Sequence, residues 1–328
     1  MKFTKDVPYT ILGAFGVLIA TSAYVVYGNT LKSLPMGASY FWFSFFAFFG
    51  SLLFPQIDEG IRKRSFRALY PEMPGKQWLR SVKQIKIWKI AANGGLFTVY
   101  FGAVLSTIRI DDTALTLLIV SLFKMFLSAG LAYLAFGDRV KNVPFYILGA
   151  IFTFAGAFLF KYEKMLNAHI DFFDAALAGS VISMIASAAR GLFDVWVKRS
   201  ISIPQVDMVA STMAGASVFG FCWMMYESGF SLPQFPTPNQ WAALVYLGIM
   251  PTAASSIISN TVRDKLSYQI TEILDNLRPM FLLFLGMIPV SWFFTPEESL
   301  DWNHYFAIFL AISGVCIVTL LAKGERKT

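Results

Sequence analysis

Residues 143–160 read VPFYILGAIFTFAGAFLF, an eighteen-residue run without a charged side chain. As an α-helix this run would be about 27 Å long, close to the roughly 30 Å thickness of the hydrocarbon core of a bilayer. Comparable apolar runs recur along the whole chain, in which 56% of the 328 residues are hydrophobic and 14% are charged. A soluble domain carries about 25% charged residues. The sequence therefore predicts an all-α membrane protein with no room for a separate soluble domain.

Hydropathy predicts ten transmembrane helices, joined for the most part by short connections. The exception is a long loop, residues 55–88, which contains eight basic residues. The predicted spans are residues 9–27, 37–54, 88–107, 113–136, 143–160, 175–197, 207–226, 240–261, 267–294 and 303–322.

The basic residues are distributed unevenly between the two sides of the predicted bundle. Twenty fall on the side of the N-terminus and four on the other side. Because Lys and Arg are retained in the cytoplasm, both termini are predicted to be cytoplasmic. This bias explains the net charge of +7 without a nucleic-acid partner. Anionic lipids are an alternative partner for the basic loop 55–88.

An internal repeat emerges when the second half of the chain is shifted back by 154 residues. Residues 106–114 (STIRIDDTA) then align with residues 260–268 (NTVRDKLSY), and Arg109 meets Arg263. The same shift pairs Lys124 with Arg278. Five spans per half is an odd number, so the halves must enter the membrane from opposite faces, as in many secondary transporters. The halves are predicted to be residues 1–160 and 161–328.

Two five-helix repeats with cytoplasmic termini resemble the drug/metabolite transporter superfamily, especially its EamA-type members. The sequence Gly137-Asp138-Arg139, which closes the fourth predicted span, resembles the Gly-Glu-Arg end common in that family's repeats. The resemblance implies a metabolite transporter, often an exporter, in a bacterial inner membrane. Plastid sugar-phosphate translocators of this superfamily hold phosphate with basic residues on helices four and nine, and Lys124 and Arg278 match those positions.

Six ionisable residues fall inside predicted spans. Each would cost about 2.5–3.5 kcal/mol at the membrane centre if it faced lipid, so all six are expected to face protein or water. Small polar residues share their helix faces, as expected of a cavity lining. The six are Lys124, Arg190, Asp194, Glu272, Asp275 and Arg278.

Depth along the spans divides these charges into two groups. Lys124 and Arg278 lie near the midplane and are predicted to attract an anionic group of the substrate. The remaining predicted substrate contacts are Asn93, Tyr100, Ser256, Asp275 and Asn276. Closer to the cytoplasm, a salt-bridge gate or coupling group is predicted from Arg190, Asp194 and Glu272. A static ion-pair network that fixes helix register is the alternative for all of these charges.

These observations together predict a secondary transporter that moves a small polar metabolite with an anionic group by alternating access. One alternative is a proton-coupled amino-acid exporter with Glu272 or Asp275 as the proton carrier. Another is a non-transporting membrane receptor or assembly subunit. An enzyme, a metal or a cofactor is not expected, because His169 and His304 have no partners at metal-binding spacing. The chain is expected to be a monomer or homodimer.

Overall fold

The computed structural model describes residues 7–63, 76–110, 127, 133–134, 139–140, 142–160, 175–200, 204–266, 271, 273–286, 288, 302–318, 321 and 324–325. This part of the chain is almost entirely helical, which confirms the all-α prediction. The exception is a two-residue pairing between β1 (Arg139–Val140) and β2 (Gly324–Glu325).

Eleven α-helices are defined among the described residues, and several continue into a tighter or wider turn. Two of these turns are π-helical, Tyr27–Leu31 and Gly248–Ala254, and one is a 3₁₀ turn, Asp275–Leu277. The helices are α1 (Val7–Val26), α2 (Met36–Lys63), α3 (Lys76–Ile85), α4 (Ile87–Ile110), α5 (Val143–Phe160), α6 (Ala175–Ser200), α7 (Gln205–Glu227), α8 (Pro238–Leu247), α9 (Ser255–Leu266), α10 (Arg278–Gly286) and α11 (Trp302–Ile317).

Four helical segments of the described chain are long and apolar enough to cross a membrane, which indicates a membrane protein. They are Val7–Leu31, Met36–Phe54, Gln205–Glu227 and Pro238–Arg263. Shorter apolar helices lie at Val143–Gly156 and Tyr305–Ile317. Most of the fourth predicted span, 113–136, and parts of the ninth, 267–294, lie outside the described residues.

The segment predicted to be a loop, residues 55–88, is in large part helical. Helix α2 continues through Pro55 as far as Lys63, and α3 follows after an interval. In α3, Trp78, Ser81 and Ile85 recur at helical spacing on one face. Hydropathy detects long apolar runs and overlooks such a short amphipathic helix, whose polar face lowers the average. Lys86, with φ of 67°, separates α3 from α4.

Neighbouring helices pack in a small number of extended pairs. Helix α2 packs along α7, and α5 packs along α11. Helix α4 lies against both α6 and α7, whereas α1 lies against the bent helix formed by α8, the π-helical turn and α9. The largest apolar cluster among the described residues includes Leu31, Leu105 and Leu244, which lie at the end of the bundle where α2 begins.

Helices α4 and α7 approach so closely that their backbones touch. A Cβ atom added to Gly94 would lie 2.5 Å from the carbonyl carbon of Gly215. Its neighbour Gly95 has more room, because a Cβ there would lie 3.6 Å from the ring of Phe219. Close approach at small residues increases dispersion contact between membrane helices, for which the lipid gives no hydrophobic driving force.

These adjacent glycines provide a matched test of the packing. We expect Gly94→Ala to lower the free energy of unfolding by about 1–3 kcal/mol, because the extra methyl group forces the helices apart. Gly95→Ala should be neutral or stabilising by up to about 1 kcal/mol, through higher helix propensity. Melting temperatures of the purified variants test this expectation, and equal values for the two would contradict it.

Candidate functional site

A polar cavity lies between the helices. Its walls come from α1, α4, α6, the bent helix α8–α9 and the segment that leads into α10. Hydroxyl groups and guanidinium groups alternate with aromatic rings along these walls. The polar lining comprises Tyr24, Tyr100, Ser187, Arg190, Thr252, Ser255, Ser256, Ser259, Asn260, Arg263, Thr271, Asp275 and Arg278.

The cavity runs from the middle of the bundle toward the end at which α1 begins. On the bent helix its lining reaches Arg263, close to the end of α9, and on α1 it reaches Gly13. In the opposite direction it ends at Tyr24, Phe101 and Thr252. These three residues also line a smaller apolar cavity, so they form a partition between the two cavities.

Helix α1 turns a face of small residues toward the cavity. Gly13, Gly16, Ala20 and Tyr24 recur at intervals of three or four residues and therefore share that face. A side chain at Gly16 would collide with Ile258 of α9. The small residues thus allow α1 to approach α9 closely, and the face ends at the first large polar side chain. Sequence reasoning missed Tyr24, although this spacing is visible in the sequence.

Arg278 stands at the centre of the first charged group. Its Nη1 donates to the hydroxyl oxygen of Tyr24 at 2.7 Å, and its Nη2 donates to Oδ1 of Asp275 at 3.1 Å. The hydroxyl of Tyr24 lies 2.8 Å from that of Tyr100. Among the described residues Nε of Arg278 has no hydrogen-bond partner. These two bonds fix the orientation of the guanidinium in the cavity wall.

The bent helix owes its shape to Pro251, which lies inside the π-helical turn. Proline has no N–H to donate and its ring crowds the preceding turn, so the regular ladder of backbone bonds is interrupted. The hydroxyl of Ser255 donates to the carbonyl oxygen of Pro251. Thr252, Ser255 and Ser256, which lie in and just after this interruption, line the cavity.

Arg190 belongs to a second charged group, on α6. Its Cζ lies 4.5 Å from the ring centre of Phe97, and its Nε lies 3.8 Å from Oδ2 of Asp194. The Nδ2 of Asn93 donates to Oδ1 of Asp194 at 2.6 Å and to Oγ1 of Thr212 at 2.7 Å. This chain of contacts joins the cavity wall on α6 to α4 and α7.

Arg263 is a third cation of the cavity that sequence reasoning assigned to a cytoplasmic connection. It lies on the last turn of α9, lines the cavity and donates from Nη1 to Oδ1 of Asn260 at 3.3 Å. Arg190 and Arg263 are near enough to repel one another electrostatically. The alignment of Arg263 with Arg109 in the internal repeat was the signal in the sequence for this residue.

Positive charge therefore exceeds negative charge in this part of the structure. Arg190, Arg263 and Arg278 line the cavity, whereas the described acidic residues are Asp275 in the lining and Asp194 behind it. Guanidinium groups bind carboxylates and phosphates through paired, charge-assisted hydrogen bonds. The arrangement can hold an anionic group with hydroxyl-bearing neighbours.

The residues predicted from the sequence are divided by the structure into three sets. Those that line the cavity are Tyr100, Ser256, Asp275, Arg278 and Arg190. Asn93 and Asp194 lie behind the wall instead, because the amide of Asn93 is occupied by Asp194 and Thr212. Lys124, Glu272 and the side chain of Asn276 lie outside the described residues.

Comparison with known proteins identifies a fold and no named family. No family model and no curated protein matches this chain. A solved crystal structure of a protein aligns with 97% of this chain and 98% of its own length, with a TM-score of 0.68 and 17% identity. Identity this low establishes similarity of fold alone. The chain is therefore a helical membrane protein whose architecture, over nearly its whole length, is also that of a solved protein.

The second charged group yields a stability prediction. Arg190→Gln should destabilise the protein by about 3 kcal/mol, because it leaves the carboxylate of Asp194 without its cation. Adding Asp194→Asn should recover 1 kcal/mol or more, since neither charge then remains uncompensated. Adding Asp275→Asn to Arg190→Gln should recover no stability, because Asp275 pairs with Arg278. Melting temperatures of the three variants decide the matter, and simple additivity of Arg190→Gln with Asp194→Asn would contradict the pairing.

Proposed function

We propose that this protein is a secondary transporter that moves a small polar metabolite with an anionic group. The three arginines among the described lining residues are the observation that carries this proposal. Arg190, Arg263 and Arg278 line one cavity, and Arg278 is held in orientation by Tyr24 and Asp275. Burying a cation among membrane helices is costly, so such residues usually mark a solute pathway.

Alternating access is supported by the asymmetry of the cavity. Polar lining runs from the middle of the bundle to one end, whereas Tyr24, Phe101 and the large apolar cluster close the other end. A transporter that exposes its site to one side at a time requires such one-sided closure.

Ten transmembrane helices in two inverted halves are part of the same proposal. In this arrangement each helix of the first half has a counterpart in the second half: α6 for α1, α7 for α2, the bent helix for α4 and α11 for α5. If every helix is exchanged with its counterpart, the contacts among these helices coincide with observed contacts. The contact of α1 with the bent helix becomes that of α6 with α4, and the pairs α2–α7 and α5–α11 are preserved. The contact of α2 with the π-helical turn becomes that of α7 with α4.

A pair of glycines supports the same exchange at residue level. Gly94 and Gly248 are separated by 154 residues, the shift that aligns the two halves. Gly94 lies against the backbone of Gly215 on α7, and Gly248 lies against that of Ala47 on α2. Equivalent positions therefore make equivalent close crossings. Membership of the drug/metabolite transporter superfamily remains a prediction that this symmetry favours.

The ion pair at Arg278 favours a second candidate, a proton-coupled amino-acid exporter. The carboxylate of Asp275 lies 3.1 Å from the guanidinium, so this part of the cavity offers both charges to a zwitterion. In transporters, a carboxylate that binds either a cationic group of the solute or a proton commonly couples solute movement to proton movement. Binding of neutral amino acids in preference to phosphate esters or dicarboxylates would favour this candidate.

The proposed location is a bacterial inner membrane with both termini in the cytoplasm, and it leads to a labelling prediction. Single cysteines near Arg64 and Lys327 should be protected from impermeant reagents in intact cells. Cysteines near Glu163 and Glu298 should react, because Lys and Arg are retained in the cytoplasm. Labelling of position 64 from outside would show that the orientation is wrong.

Ligand binding by Arg278 variants tests the function most closely. Arg278→Gln should weaken binding of the anionic solute about ten- to a hundredfold, since a charge-assisted hydrogen bond contributes roughly 1.5–3 kcal/mol. Lys124→Gln is expected to act in the same way. Arg278→Lys should rescue only in part if the group is a bidentate oxyanion.

A buried cation outside the cavity provides the control for this experiment. Lys89 is 8% exposed, and its ammonium lies 4.3 Å from the ring centre of Trp196. Lys89→Gln should leave solute affinity unchanged. A thermal-shift screen of metabolites identifies the solute, and uptake into liposomes then separates a transporter from a receptor or assembly subunit. Wild-type affinity in folded Arg278→Gln protein would eliminate the anion site.

A further inference from the structure

Helix α3 carries a concentrated positive surface at the edge of the bundle. Residues 62–89 contain nine basic residues and one acidic residue. Within the described part of this segment Arg80, Lys83 and Lys86 are exposed. At 100° per residue, Arg80 and Lys83 lie about 60° apart on the same helix face. Like charges this close repel one another, so an anionic partner would stabilise them.

The opposite face of α3 is fixed to the bundle. The hydroxyl of Ser81 donates to Oδ2 of Asp207 at 2.6 Å, and Nε1 of Trp78 donates to Oγ of Ser211 at 3.1 Å. Ile85 is buried in the same contact. Because Asp207 and Ser211 belong to the first two turns of α7, the orientation of α3 is set by α7. The positively charged face of α3 therefore lies on the side away from α7, whether or not a partner is bound.

Aromatic and apolar residues near α3 indicate that it lies at the depth of lipid headgroups. Trp88 and Trp196 are exposed at this end of the bundle, and Lys89 lies over the ring of Trp196. Tryptophans of this kind mark the membrane interface. Leu79 and Ile87 are also exposed, Ile87 to 79%. Exposed apolar groups beside exposed cations are characteristic of an interfacial helix.

We propose that α3 is a binding surface for anionic phospholipids. Arg80, Lys83 and Lys86 would contact the headgroup phosphates, and Leu79 and Ile87 would contact the acyl chains. Positive residues at a membrane surface attract anionic lipids in this way. Lipid binding at α3 does not require that the protein be a transporter. The proposed orientation of the protein places the bound lipid in the cytoplasmic leaflet.

Lipid on α3 would also bear on the cavity. Ser211, which holds Trp78, is followed on α7 by Thr212, which accepts a hydrogen bond from Asn93. Asn93 in turn holds Asp194, the partner of Arg190 in the cavity wall. A ligand that fixes α3 to the membrane therefore stabilises the helix on which this network depends. Anionic lipid should raise the melting temperature as well as bind.

Titration of the purified full-length protein with short-chain phosphatidylglycerol or phosphatidylcholine tests the proposal. Melting temperature reports binding, and native mass spectrometry counts the lipids retained. Wild-type protein should prefer phosphatidylglycerol. The double variant Arg80→Gln/Lys83→Gln should bind it about 30-fold more weakly. The control Lys32→Gln/Lys265→Gln removes two exposed positive charges elsewhere and should bind like wild type.

Several outcomes would overturn the proposal. These are equal affinity of wild type for the two lipids, wild-type affinity in the α3 double variant, and an equal loss in the control variant. Salt dependence gives a further readout that needs no substitution. Binding of phosphatidylglycerol to wild-type protein should weaken as ionic strength rises, because exposed charges are screened. Binding that is independent of salt would also contradict the proposed surface.

Discussion

Burial of the Arg278 guanidinium inside an apolar bundle is the constraint on which the rest of the site depends. A cation at the centre of a membrane helix costs about 2.5–3.5 kcal/mol if it faces lipid, so it requires partners or water. Asp275 supplies one partner and Tyr24 another, and Tyr24 is itself held by Tyr100. These bonds bring α1, α4 and the start of α10 to one point. The cavity lies where this guanidinium and the small residues of α1 line one space.

Helix α4 is common to both charged groups. Its Tyr100 belongs to the group around Arg278, while Phe97 and Asn93 belong to the group around Arg190. The first group joins α4 to α1 and α10, and the second joins it to α6 and α7. Movement of one set of helices against the other would therefore strain contacts along α4. Under the proposed exchange of halves, the counterpart of α4 is the bent helix, which Pro251 weakens at the same depth.

Apolar composition and periodicity were sufficient to predict an all-α membrane chain, and the polar faces were sufficient to predict Tyr100, Ser256 and Arg278 in one cavity. Other features depend on tertiary contacts that the sequence does not display. Asn93 shares a helix face with Tyr100, yet its amide is taken up by Asp194 and Thr212 from other helices. Arg263 looked like a connection residue because helix ends cannot be located from hydropathy to within a turn.

The proposed transport requires one polar cavity that opens to one side of the membrane at a time. In a variant lacking Cys222 and Cys316, we predict that Ser259→Cys reacts with an impermeant reagent from the side where α1 begins. Ala23→Cys, in the smaller cavity beyond Tyr24, should react from the opposite side, and slowly, since the reaction requires the apolar cluster at that end to open. Reaction of both cysteines from the same side, or no reaction of Ala23→Cys from the opposite side with any solute present, would contradict alternating access.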